Sequence, residues 1–282
     1  MAVMTELNHA PHPSGNLVEA HYYVAGPGLG FSTLSVVLLL VHRHRDKRLR
    51  WDDVFVSSSW AFSVTMQILM LYARQLKTLC YHRDDIPPEN FKVYSEPFQL
   101  IYVAAPMFVL STGCAEMSIL LSYWRIAFVE KVCSFTLYTL MTAVSPMTLI
   151  MTVLLFIARP GTSSLDTIAL SIVMASFSIG IDVLLAVLAI LKVFMLRTSL
   201  KNKLRATALF SLGLVHSRTA IASIVRLVLL KQLQGSSDLT WDSASANITS
   251  FFGVNLHVIF ACLPAVRIVI TSYAVLLLSK RT

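Results

Sequence analysis

Residues 167–191 read TIALSIVMASFSIGIDVLLAVLAIL, 25 residues whose only ionisable side chain is Asp182. At about 1.5 Å per residue, such a run crosses the roughly 30 Å hydrocarbon core of a bilayer with residues to spare. Hydrocarbon offers no partner to an open N–H or C=O, so a run in that setting closes its backbone bonds internally and is a helix. Six further runs share this character: 21–41, 52–73, 97–121, 133–157, 205–230 and 250–276. The expected fold is all-α, a polytopic seven-transmembrane-helix bundle over 21–276, with a short tail before it (1–20) and another after it (277–282).

Composition agrees. The chain of 282 residues is 56% hydrophobic and 13% charged, where a soluble domain carries about 25% charged residues. Outside the runs only short tails and loops remain, too little for a second, soluble domain. The first run reads as a retained signal anchor, not a cleavable peptide: residues 1–20 hold no Lys or Arg, and the basic cluster follows the run.

A formal charge of +8 raises the question of nucleic acid, and its distribution answers it. Arg43, Arg45, Lys47, Arg48 and Arg50 follow the first run, and Arg125 and Lys131 the third. Lys192, Arg197, Lys201, Lys203 and Arg205 lie between the fifth and sixth, and Lys280 and Arg281 close the chain. The other side has Arg74, Lys77, Arg83, Lys92, Arg159 and Lys231, the first four diluted by Asp84, Asp85, Glu89 and Glu96. The positive-inside rule then gives an amino terminus outside and a carboxyl terminus in the cytoplasm. The partner of this charge is the lipid bilayer, not nucleic acid. The sequon Asn247-Ile248-Thr249 falls in the loop before the seventh run, on the outer side, which makes Asn247 a glycosylation candidate.

Several chemistries lack their residues. Cys114, Cys133 and Cys262 lie in or at the ends of helical runs and Cys80 stands alone in an outer loop, with no metal-ligand spacing among them. No Gly-rich phosphate loop, HExxH pair or Gly-x-Ser-x-Gly elbow is present. The seventh run holds no lysine to which retinal could attach. No metal and no cofactor is expected.

Charge within hydrocarbon costs at least a few kcal/mol, so ionisable residues inside the runs are the site candidates. They are Glu116, Asp182, His216, Arg218, Arg226 and His257. By helical rise, Asp182, Arg218 and His257 fall within about 5 Å of their midpoints. Glu116 falls about 10 Å toward the cytoplasm and Arg226 about as far toward the outside. An Asp182–Arg218 pair with His216 or His257 beside it is the expected constellation. It is either a polar network that fixes helix packing or a ligand site, and Asp182, Arg218 and His257 are the catalytic candidates if chemistry occurs. Arg226 is expected to snorkel outward. In the first run, Gly26 and Gly30 form a small-xxx-small step for close helix approach.

Five stretches carry a family likeness: Trp51-Asp52-Asp53; MSILLSYWRI at 117–126; KLRATALFSLGLVHSRTAIASIVRL at 203–227; Ser237-Asp238-Leu239-Thr240-Trp241; and ACLPAVR at 261–267. In these the chain resembles the fungal rhodopsin-domain integral membrane proteins, the group with Pth-type receptor-like and satratoxin-cluster-type members. The resemblance implies seven helices with the amino terminus outside, and an architecture without an implied chromophore. Two departures stand out: the family pattern has Lys where Glu116 stands, and an acid before Asn255 where this chain has Gly253. The implied function is that of an accessory component of a specialised (secondary) metabolite pathway. Such a protein binds or handles an apolar small-molecule intermediate, in an endomembrane or the plasma membrane, beside pathway enzymes in the same membrane. A seven-helix receptor-like sensor is the first alternative and a membrane-embedded cyclase or isomerase the second.

Overall fold

The computed structural model describes residues 15–45, 47, 49–75, 95–127, 131–158, 167–195, 219–234 and 239–279. Among them are seven helices and no strand. They are α1 (Gly15–Arg45), α2 (Trp51–Gln75), α3 (Ser95–Ala127), α4 (Lys131–Ile157), α5 (Thr167–Met195), α6 (219–233) and α7 (Leu239–Ser279). Within the described residues, six helices (all but α6) are long and apolar enough to cross a membrane. The chain is a multi-pass membrane protein. The first half of the sixth run, with His216 and Arg218, lies outside the described residues, as do Cys80, the basic stretch 196–205, and Lys280 and Arg281.

The bundle alternates direction. Arg43 near the end of α1 meets Asp52 and Asp53 at the start of α2, at 3.8 and 3.3 Å. Those acids sit in the first turn of α2, where the helix dipole favours negative charge. The Arg50 N–H donates to Asp53 Oδ2 at 3.0 Å, and Lys47 takes a φ of 49° to complete the reversal. α2 and α3 also run antiparallel: Ser118 Oγ donates to the Asp52 carbonyl, and Ser59 and Ser111 hydroxyls each donate to the other's carbonyl at 2.7 and 2.8 Å. α1 and α7 run parallel, with the His21 ring edge-on to Phe251 at 4.8 Å and Ser32 bonded to Asn255.

α3 is the hub, with 61% of its span buried against 22% of the α1 span. The outer belt is apolar, as hydrocarbon requires: Phe31 and Leu34 on α1, Phe135 and Leu149 on α4, Val173 and Val187 on α5 are all exposed. Tyr22 and Tyr23 near one end, and Trp51 at the other, are exposed where amphipathic rings favour the membrane–water interface.

Two large apolar clusters fill the interior, with a smaller third of Ala175, Leu230, Leu233 and Ala246 beside them. One gathers Val36, Leu39, Val56, Leu120, Leu185 and Val258; the other gathers Met66, Met70, Phe108, Leu155, Met174 and Phe251. Along six of the seven helices, buried polar residues fall between the two large clusters: Ser32 on α1, Ser63 on α2, Thr112 and Glu116 on α3, Thr148 on α4, Ser178 on α5, Asn255 and His257 on α7. The core is thus apolar, polar, apolar, and the polar layer crosses the bundle at mid-height.

Two expectations need correction. The loop read at 232–249 is largely helix, since α7 begins at Leu239. Its first two turns carry Ser243, Ser245 and Asn247, which lower the hydropathy, yet Ala244 and Ala246 pack inward. The close approach to α1 is at Gly28, not at Gly26 or Gly30. A Cβ on Gly28 would stand 2.8 Å from Asn255 Nδ2, whereas one on Gly26 or Gly30 would meet nothing within 4 Å.

Candidate functional site

In the polar layer, α5 presents Ser178 and Asp182 one turn apart and so on one face. Ser178 Oγ donates to Glu116 Oε1 on α3 at 2.6 Å. Asp182 Oδ2 lies 3.9 Å from His257 Nε2 on α7. His257 Nδ1 lies 2.9 Å from the Gly253 carbonyl one turn back. A carbonyl can only accept, so Nδ1 carries a proton and Nε2 is the nitrogen turned to the carboxylate. Glu116, Asp182 and His257 are all fully or almost fully buried.

A cleft with about 420 Å3 of empty volume, counting the part open to the surroundings, runs from this group between α3, α5, α6 and α7. Its walls mix Phe108, Met174 and Ala222 with hydroxyls, and His257 and Gly253 line its α7 side. A Cβ added at Gly253 would meet nothing within 4 Å, so the missing side chain leaves space there. Arg226 on α6 also lines the cleft, with its guanidinium carbon 3.6 Å above the centre of the Phe108 ring. That is a cation–π contact.

The hydroxyls are partly committed. Thr112 Oγ1 donates to the Phe108 and Val109 carbonyls at 3.0 and 3.1 Å, and Ser250 Oγ to the Ala246 carbonyl at 2.7 Å. Thr249 does the same toward Ala246 at 2.9 Å. With their protons spent within their own helices, these groups offer the cleft lone pairs. Buried atoms at this site without a hydrogen-bond partner among the described residues include Glu116 Oε2, Arg226 Nε and His257 Nε2.

The structure brings together Asp182, His257 and, through Ser178, Glu116. His216 and Arg218 lie outside the described residues, so the expected Asp182–Arg218 pair has no described geometry. Glu116 lies five residues past the middle of α3 (Ser95–Ala127), about 7.5 Å along the helix by its rise. Arg226 does not extend its stem away from the bundle; it folds over Phe108, an arrangement that hydropathy alone does not signal. Asn247 lies two turns inside α7 with Nδ2 buried, not in a loop. Ser178 was readable as the residue one turn before Asp182, whereas Phe108 and the Gln67–Asn255 contact had no local signal. Among the described residues, no three His, Cys, Asp or Glu side chains cluster in a way that suits a metal ion.

The family model of the fungal rhodopsin domain matches residues 38–272, from the second half of α1 into α7, and takes in every residue of the cleft. The chain belongs to the fungal rhodopsin domain family. No curated protein and no solved structure matches it. For this fungal rhodopsin-domain protein, then, the family accounts for the multi-pass helical architecture, and the cleft has to be read from its own side chains.

Proposed function

We propose that the cleft between α3, α5, α6 and α7 binds a small molecule with an apolar body, and that the protein serves as an accessory component of a specialised-metabolite pathway. The observation that carries the reading is the cleft itself. Its walls set the apolar side chains of Phe108, Met174 and Ala222 beside a few polar groups, the pairing that small-molecule sites use. Arg226 Nε and His257 Nε2, both on residues that line it, are two such groups without a hydrogen-bond partner among the described residues. A buried polar atom left unpaired costs about 1–3 kcal/mol, and a ligand would recover that.

The basic clusters support an amino terminus outside, which turns the Arg226 end of the cleft toward the outer half of the membrane. The same cleft serves a receptor-like sensor equally well, and the two readings separate at the opposite end. There a sensor needs a surface for a signalling partner, and two of the connections at that end are short, residues 46–50 between α1 and α2 and 128–130 between α3 and α4.

Metabolite profiling of a deletion strain tests the proposal, with the strain complemented by wild type or by Gly253→Leu, a side chain directed into the open space. The expected result is one intermediate accumulating in the deletion and in Gly253→Leu at normal protein level, with wild type restoring the profile. An unchanged profile with a lost growth or developmental response moves the reading to the sensor. Asp182 and His257 also suit acid–base chemistry. Asp182→Asn with unchanged protein level and unchanged turnover of the intermediate removes that role.

A further inference from the structure

Arg226 is the cation of the cleft, and its charge is permanent. In a membrane interior such a charge is paired or functional, and the face of one aromatic ring compensates only part of its desolvation. Among the described residues no carboxylate pairs with it. Of the two buried acids in the same four-helix group, Glu116 accepts from Ser178 and Asp182 lies 3.9 Å from His257. Glu116 is also eight residues beyond Phe108, about 12 Å further along α3. The neighbouring hydroxyls of Thr112, Thr249 and Ser250 donate to their own helices, so they neither neutralise the guanidinium nor supply another donor at that end. The cleft therefore holds a buried guanidinium nitrogen without a partner among the described residues, and Ser178 and His257 line it as well, with Glu116 and Asp182 behind them.

We infer that the ligand of this cleft carries an acidic group, a carboxylate in its simplest form, seated on Arg226, with its apolar body along Phe108, Met174 and Ala222. This rests on the proposed binding role and adds the chemical class. A planar guanidinium presents paired N–H groups that match a carboxylate's two oxygens, which a lysine or a hydroxyl does not. Glu116 and Asp182, behind Ser178 and His257, bias the orientation, since their charge repels an acid from that part of the cleft.

The test uses the full chain in phosphatidylcholine nanodiscs and a matched panel of straight-chain and cyclic carboxylic acids with the corresponding primary alcohols, read by displacement and thermal shift. The expected result is that at least one acid binds about tenfold or more tightly than its alcohol, the range for a charge-assisted hydrogen bond. Arg226→Gln should abolish that preference and Arg226→Lys should keep part of it. Equal binding of acid and alcohol by the wild type would overturn the acidic-group inference and leave the binding role standing. Binding of neither series would overturn both. The wild-type comparison decides even if Arg226→Gln fails to fold. Nanodiscs with anionic phosphatidylglycerol separate the sources: suppression of acid binding there assigns the acidic group to a lipid headgroup held by Arg226, and unaltered binding assigns it to a free acid.

Discussion

Helix α7 has two polar faces, and they handle the same problem in opposite ways. Asn255 and His257 are two residues apart, about 200° around the helix. Toward α1 and α2, Asn255 closes a network: Nδ2 donates to the Phe251 carbonyl at 2.9 Å and to Gln67 Oε1 at 3.3 Å, and Oδ1 accepts from Ser32 Oγ at 3.0 Å. Gln67 Nε2 turns to Ser63 Oγ at 3.0 Å. Toward α3, α5 and α6, His257 faces a cleft where Glu116 and Arg226 keep atoms without a partner among the described residues. The glycines repeat the contrast, since Gly28 is pressed by Asn255 and Gly253 faces open space. A network with every donor and acceptor used fixes packing. One with groups left over, beside a cavity, is where something else completes the set.

The largest effect is expected from Asn255→Leu, which strips partners from Gln67 and Ser32. Thermal or denaturant unfolding in micelles should show a loss of about 2–3 kcal/mol, toward the upper end of interhelical polar contacts in membranes. A loss below about 0.5 kcal/mol would mean the network does not hold α7 to α1 and α2. Next comes Ser178→Ala, which removes the one hydrogen bond to Glu116 among the described residues. It should cost about 1.5–2 kcal/mol, the scale of a bond to a charged group. Glu116→Gln, which keeps an acceptor for Ser178, should cost less than that in the same assay.

A sharper version of the comparison uses one substitution at two sites. Gly28→Ala should destabilise by about 1–2 kcal/mol, because Asn255 or the α1–α7 spacing must shift. Gly253→Ala should stabilise by up to about 1 kcal/mol, because alanine suits a helix interior better and nothing obstructs it. Equal effects of the two would erase the distinction between the packed face and the open one. The smallest effect should come from Thr249→Val, whose hydroxyl bonds back to its own helix, with a change under about 0.5 kcal/mol in the same unfolding assay.

These contrasts also show what the residues reveal in linear order. Helix number and type were legible because hydrocarbon permits little else, and the ionisable residues marked α3, α5 and α7 as the helices carrying the polar layer. Pairings between helices were not legible. That Asp182 meets His257, and that Glu116 meets Ser178, depends on helix rotation and vertical register, which hydropathy does not encode. The start of α7 was hidden because Ser243, Ser245 and Asn247 lower the hydropathy of a segment held as helix by its buried alanines. Arg226 was read as snorkelling because its aromatic partner lies 118 positions away in sequence, on another helix.

The central claim is that the open face of α7 is a ligand site. The most direct test is native mass spectrometry of the protein purified from its own membrane, as wild type and as Gly253→Leu. A small molecule retained by the wild type and lost from Gly253→Leu, with both proteins folded, is the predicted result. The same adducts on both, or none on either, would contradict it.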